Sequence, residues 1–121
     1  PLPTIAADRY LILILFSSLI DNGCRYASSP SAVKVSGAAH EEGVTVEIED
    51  DGPGIAPEEQ KQIFDKYYRA KNGNKKPGAG LGLYFVKRIT ALHGGTVTLK
   101  SNNSSTLFRI TLPLNALGPA Q

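Results

Sequence analysis

Residues 43–55 read GVTVEIEDDGPGI, and the stretch changes character partway along. Val44, Val46 and Ile48 alternate with polar residues, the period of a strand with one apolar face. From Asp50 onward two glycines flank Pro53, which is turn chemistry as far as Pro57. Glycine permits a sharp turn there and lets a flat ligand approach the backbone. A carboxylate leaving a strand at this point can accept a hydrogen bond from an exocyclic amine, such as that of adenine. An ordinary acidic turn after a strand accounts for these residues alone equally well.

Upstream, residues 32–38 carry β-branched side chains at alternate positions, with Val33 and Val35 on one face. They predict a second strand, antiparallel to the first and joined to it by a loop around His40 and Gly43. Asp8 is a helix N-cap by type, and an apolar pattern follows it to about Ala27, where Ser28, Ser29 and Pro30 stop it. This helix is apolar on most sides, which predicts wide burial. Downstream, Pro57 opens a helix with Glu58 and Glu59 in its first turn, expected to continue through Ile63 and Phe64 to about Tyr67.

Residues 70–79 hold Lys71, Asn72, Gly73, Asn74, Lys75, Lys76, Pro77 and Gly78, and predict a mobile surface loop. Residues 80–93 have helical spacing at Leu83, Val86, Ile89 and Ala91, ended by Gly94-Gly95. Residues 96–100 and 106–112 predict a closing hairpin over Asn102, Asn103 and Ser104, with a frayed tail from Asn115. The order is helix, two strands, helix, loop, helix, two strands. It implies an α+β two-layer sandwich, helices on one face of a mixed, mostly antiparallel sheet. Residues 1–114 form the expected domain and 115–121 its tail.

The chain has 121 residues, 41% of them hydrophobic, which fits one domain with one core. A net charge of +2 gives no field for nucleic acid or an anionic membrane, and no basic face alternates with aromatics. Cys24 is the lone cysteine, so no intramolecular disulfide forms, as in a reducing compartment. It falls in the apolar helical pattern, as a packed, inert thiol does. The apolar run at residues 10–20 is too short to span a membrane and is interrupted by Ser17 and Ser18. It has neither a basic leader nor a cleavage site, unlike a signal peptide. Beginning at Pro1 and lacking Met, the sequence reads as a piece of a longer protein.

Two further stretches carry chemistry. Gly78-Ala79-Gly80-Leu81-Gly82-Leu83 stands directly before a helix, where backbone N–H groups favour phosphate. No Gly-Lys-Ser or Gly-Lys-Thr follows, and a polar loop rather than a strand precedes it, so it is neither a Walker nor a Rossmann loop. A structural loop is the competing account. Asp21-Asn22-Gly23-Cys24-Arg25-Tyr26 closes the first helix. Asn22 and Arg25 share a face there. An amide oxygen can ligate Mg²⁺, a guanidinium can pair with phosphate, and a tyrosine offers a stacking face. A polar helix end with no ligand explains the same residues.

Taken together and in this order, these stretches resemble the ATP-binding catalytic domain of sensor histidine kinases, in the GHKL superfamily. Asn22 with Tyr26 resembles the asparagine box. Asp50-x-Gly52-x-Gly54 resembles the first glycine box, and Gly80-Leu81-Gly82-Leu83 the second. Ile63-Phe64-Asp65-Lys66-Tyr67-Tyr68-Arg69 looks like the F box. Residues 84–89 through His93-Gly94-Gly95 resemble the helix after the second glycine box. The likeness covers about residues 8–113.

The resemblance implies a Bergerat ATP-binding fold. Asp50 would hold the adenine amine, with Gly52, Gly54 and Ile55 lining the base. Asn22 would ligate Mg²⁺, and Asn22 and Arg69 would be the catalytic residues, Arg69 reaching the terminal phosphate. Arg25, Tyr26, Tyr68, Leu81 and Leu83 would complete the nucleotide contacts. Residues 70–79 would form an ATP lid hinged by Gly78, Gly80 and Gly82. Lys71, Lys75 and Lys76 would add phosphate contacts or form a solvated charge run.

The implied reaction moves the γ-phosphoryl of ATP to a histidine on a separate dimerisation domain, for onward transfer to a response regulator. The implied fragment is cytoplasmic, monomeric and free of membrane and nucleic-acid contact. It is expected to bind ATP without phosphorylating itself. His40 lacks the acidic neighbour of the family's acceptor motif, and His93 is placed to cap helix carbonyls. Departures from the family pattern are Ser18 for a second asparagine, Ile14 for a polar residue, Gly23 for alanine and Asp51 for asparagine. Ser18 and Ile14 motivate one alternative, a degenerate module that holds nucleotide, or nothing, and works through protein contacts. A second is a serine kinase of the anti-sigma type on the same fold, against which the F box and the lid composition argue.

Overall fold

The computed structural model describes residues 7–26, 33–66, 82–102 and 104–114, and of residues 23–26 the helical backbone alone. The first helix, α1, runs Arg9–Tyr26. Asp8 caps it as its residue type predicts: Oδ1 accepts the Leu11 N–H at 3.0 Å. Leu15 and Leu19, one turn apart, are completely buried, with Leu11, Ile12 and Phe16 packed beside them. The wide burial expected of this helix is not found. Tyr10 and Leu13 are 76% and 62% exposed, and Ile14 and Ile20 are exposed as well. The helix packs mainly on one further helix and one strand, both on the side of Leu15 and Leu19, so one stripe is covered rather than the whole circumference.

Strands β1 (Lys34–His40) and β2 (Gly43–Asp50) pair antiparallel across the two-residue turn Glu41-Glu42. Strands β3 (Thr96–Asn102) and β4 (Ser105–Pro113) form the second hairpin. β4 inserts beside β2, giving the order β1-β2-β4-β3, antiparallel at every pairing among the described residues. The register makes a ladder across the inner face. Val44 faces Leu112, Val46 faces Ile110, and Ile48 faces Phe108. Val97 and Leu99 extend those rows on β3. Against this ladder lie Leu15 and Leu19 of α1 and Val86 and Ile89 of α3 (Gly82–Leu92). The opposite face is polar, and Glu47 and Arg109, direct partners across β2 and β4, form an ion pair at 2.6 Å. β1 is exposed along its length, so Val35 stays 56% exposed at the sheet edge while Val33 packs on the core.

Two local expectations are corrected. The helix opened by Pro57 is short: α2 spans Pro57–Gln60. Beyond it, Gln62 N–H donates to Glu59 O and Asp65 N–H to Gln62 O, tight three-residue turns in place of a longer helix. These turns swing Ile63 into the core and set the Phe64 ring edge-on to Phe108 at 6.2 Å. On α3, Ala91 faces outward and Thr90 takes the buried position, its hydroxyl donating to Val86 O at 2.7 Å. The end of α3 is as predicted. Gly94 has φ +72°, its N–H donates to Ala91 O, and the Gly95 N–H donates to Thr90 O, the paired bonds of a Schellman motif. No described helix is long and apolar enough to cross a membrane.

Candidate functional site

The inner-face ladder turns polar at one end. Past Ile48 and Phe108, the next pair is Asp50 with Thr106, and Thr106 in turn pairs with Ser101 on β3. Three adjacent strands thus present a transverse polar row against an apolar core. Asp50 is 4% exposed, and its Oδ1 accepts the Gly52 N–H at 2.8 Å. Burial pushes its carboxyl above the ordinary carboxylate range. The Gly52 hydrogen bond opposes that shift, while the charges of Asp51 and Glu49 add to it. A carboxylate has two oxygens and about four lone-pair sites, so capacity remains for a donor from a ligand.

The loop after Asp50 is clamped to the second hairpin. Gly54 has φ +81°, and a Cβ built there would lie 1.7 Å from the Asn102 carbonyl oxygen. Only glycine fits that approach. One residue on, the Ile55 N–H donates to the Ser101 hydroxyl at 2.7 Å, and Gln60 Nε2 donates to the Ile55 carbonyl at 2.9 Å. The Ile55 side chain packs against the core, as do Phe64 and Leu83.

The helices bring a second group together. Ser18 and Asn22 lie one turn apart on α1, both half-buried. The position a Cβ would take on Gly82, the first residue of α3, is 3.8 Å from the Ser18 Cβ. The start of α3 therefore stands beside the turn of α1 that leads to Asn22. Of the residues the sequence singled out, the side chains of Arg25 and Tyr26, and Tyr68, Arg69, Gly78, Gly80 and Leu81, lie outside the described residues. So does the predicted lid at 70–79 with Lys71, Lys75 and Lys76.

His93 is completely buried and caps a carbonyl as expected. Its Nε2 accepts the Asp8 N–H at 3.1 Å, so Nδ1 carries the proton and donates to Ile89 O at 2.8 Å. His40 lies at the far end of β2 from Asp50, with Nε2 2.6 Å from the Thr45 hydroxyl. Among the described residues no cluster of His, Cys, Asp and Glu is arranged to hold a metal ion.

The sequence reading missed Ser101 and Thr106. A signal was present: Val97, Leu99 and Ser101, like Phe108 and Thr106, continue one alternation, and a polar residue at an inward position of an amphipathic strand marks a site or a network. The predicted strand ended at Lys100, one residue short of it.

A family model described as histidine kinase-, DNA gyrase B-, and HSP90-like ATPase matches residues 7–116. The sensor protein KdpD of Escherichia coli is 32% identical over 114 residues, spanning 93% of this chain and 13% of KdpD. The adaptive-response sensory kinase SasA of Rippkaea orientalis is 37% identical over 116 residues, 93% of this chain and 29% of SasA. The chain therefore spans less than a third of either relative. Among solved structures, the mycobacterial sensor histidine kinase MprB aligns with a TM-score of 0.82 at 27% identity, over 93% of this chain and 78% of that one. Full-length ShkA in complex with AMPPNP aligns with a TM-score of 0.80 at 28% identity, over 98% of this chain and 25% of ShkA.

Proposed function

The chain belongs to the histidine kinase-, DNA gyrase B-, and HSP90-like ATPase family, and from that premise we propose that it holds Mg-ATP as the catalytic unit of a sensor histidine kinase. The observation that carries this reading is Asp50, a buried carboxylate at the polar end of the inner face with one backbone N–H on Oδ1. A carboxylate accepts hydrogen bonds and cannot give them. Adenine offers an exocyclic amine, whereas guanine carries a carbonyl at the same ring position, so Asp50 selects ATP over GTP. Gly52, Gly54 and Ile55 line the base, with Gly54 already pressed on the Asn102 backbone.

The phosphates lie toward the start of α3, where the first N–H groups of a helix have no partner within it and favour anions, and Gly82 has no side chain to exclude them. Asn22 is the proposed metal ligand. Its amide oxygen is a hard donor of the kind that would hold Mg²⁺ beside the phosphates. Arg69 is proposed to reach the terminal phosphate. Arg25, Tyr26, Tyr68, Gly78, Gly80, Leu81 and Leu83 are the remaining proposed contacts, the glycines as hinges of a lid at 70–79. Residues 1–114 make the unit and 115–121 its tail.

The proposed reaction breaks the bond between the γ-phosphorus and its bridging oxygen and forms a bond from phosphorus to a histidine nitrogen. Such a transfer needs alignment and charge stabilisation above all. The acceptor belongs to a separate dimerisation domain on the cytoplasmic side, and a response regulator takes the phosphoryl onward. Neither histidine of this chain serves. His93 has both ring nitrogens engaged inside the core. His40 is the length of β2 from Asp50, on the order of 20 Å at a strand's rise of ~3.4 Å per residue.

Calorimetric titration with Mg-ATP and Mg-GTP tests the reading. Binding of ATP, with GTP rejected and Asp50→Asn impaired, is expected. No heat with ATP overturns it in favour of a nucleotide-free interaction module, and an acid-stable phosphoserine on a partner protein in favour of a serine kinase.

A further inference from the structure

We propose that Ser101 is a positioning residue for the adenine side of the site, its hydroxyl locking the loop that follows Asp50 onto the β3–β4 hairpin. This rests on the ATP reading above. Ser101 occupies an inward position of β3 where Val97 and Leu99 supply apolar contacts to the core, so its residue type departs from the rest of its face.

The hydrogen bonds at its oxygen close. Ser101 Oγ donates its one proton to Ser105 O at 3.0 Å and accepts the Ile55 N–H at 2.7 Å. The Thr106 hydroxyl, 3.0 Å away, is then the donor toward Ser101. One oxygen thus ties together the residue after Gly54, the first residue of β4 and the residue that pairs with Asp50.

The loop is fixed at both ends by this arrangement. At its start, Asp50 belongs to β2 and receives the Gly52 N–H. At its far end, Gly54 touches the Asn102 backbone and Ile55 is bonded to Ser101. The loop that would face a planar base is thus fixed before ligand arrives, which removes an ordering cost from binding. Without the hydroxyl, the Ile55 N–H and the Ser105 carbonyl lose a partner in a half-buried place, and the loop end is free to shift.

The test compares the wild-type chain with Ser101→Ala and Ser101→Thr. Ser101→Ala is expected to weaken ATP, ADP and adenosine by the same factor, roughly tenfold for one hydrogen bond to a pre-set loop. The equal factor is the signature of a base-side effect, since a disturbance at the phosphates spares adenosine. Ser101→Thr keeps the hydroxyl on a β-branched side chain suited to a strand and is expected to restore affinity. Amide exchange gives a readout that needs no variant: Ile55 in the wild type is expected to be protected, and Ser101→Ala to lose that protection while the β2 and β4 amides keep theirs.

Wild-type ATP binding with an unchanged affinity in Ser101→Ala overturns this proposal alone. An Ile55 amide that exchanges freely in the wild type does so even where Ser101→Ala fails to fold. A wild-type chain that binds no adenine nucleotide overturns the ATP reading and this proposal with it.

Discussion

The Asp8 backbone N–H donates to Nε2 of His93, 85 residues further along the chain and 3.1 Å away. Asp8 thereby serves two helices at once. Its carboxylate caps α1 through Leu11, and its main chain satisfies the ring that ends α3. The buried imidazole returns the bond within α3 by donating to Ile89 O. α1 carries Asn22 and α3 begins at Gly82, so this contact fixes the two elements that frame the proposed phosphate end.

Replacing His93 with alanine removes a completely buried ring and leaves the Asp8 N–H and the Ile89 carbonyl short of a partner. The expected loss of stability is about 3 kcal/mol, the sum of a cavity and an unmade buried hydrogen bond. Urea unfolding at neutral pH measures it. A loss within the ±0.5 kcal/mol typical of surface positions would show that the ring is not holding the helices.

Asp50→Asn separates stability from binding. Burial raises the folded-state carboxyl above its ordinary value of 3.8, so the charged form is disfavoured in the folded chain. Linkage gives the sign: the stability that protonated Asp50 confers is fully present below 3.8 and is lost as pH rises through the raised folded value. Asparagine carries no charge to desolvate, and its side-chain oxygen still accepts the Gly52 N–H. The variant is therefore expected to gain stability relative to wild type as pH rises through that window, while ATP affinity falls roughly tenfold to a hundredfold with one charge-assisted hydrogen bond weakened. Unfolding curves across pH 3–7 beside ATP titrations check both halves. A stability difference that stays flat with pH contradicts the burial argument.

The fold was legible because its strands alternate and its helices carry explicit stops. Asp8 and Gly94-Gly95 mark ends that the structure keeps, and Val44, Ile48, Phe108, Ile110 and Leu112 all face inward as their spacing dictates. Tertiary packing decided the rest. Nothing local in residues 61–66 says that a helix should yield to turns, because the reason is the burial of Ile63 and the contact of Phe64 with Phe108. Asp50 could be singled out as a candidate from its neighbours in sequence. Ser101 and Thr106 reach it only through strand register, which a linear reading does not contain.

Gly54→Ala is expected to damage fold and binding together. At φ +81° an L side chain is strained, and the added Cβ would lie 1.7 Å from a main-chain oxygen that has no rotamer to escape into. The loop must lift off the hairpin, at a cost of about 2–4 kcal/mol, larger than that of an ordinary incompatible Gly→Ala change because backbone meets backbone. Thermal unfolding and ATP titration should both register it. A variant with wild-type melting and affinity would mean that the loop does not rest on Asn102.

Ser18→Asn is expected to strengthen Mg²⁺-dependent binding. Ser18 lies one helical turn before Asn22, both are half-buried, and the bare backbone of Gly82 leaves room beside the Ser18 Cβ. A second amide oxygen on that face adds a hard donor next to the first, worth about one polar contact to a cation and so roughly tenfold in Mg-ATP affinity. The gain should vanish when the titration is repeated in a chelator, because the new oxygen repels phosphate when no metal lies between them. An equal gain with and without Mg²⁺ would place the metal away from Asn22 and move the proposed ligand elsewhere.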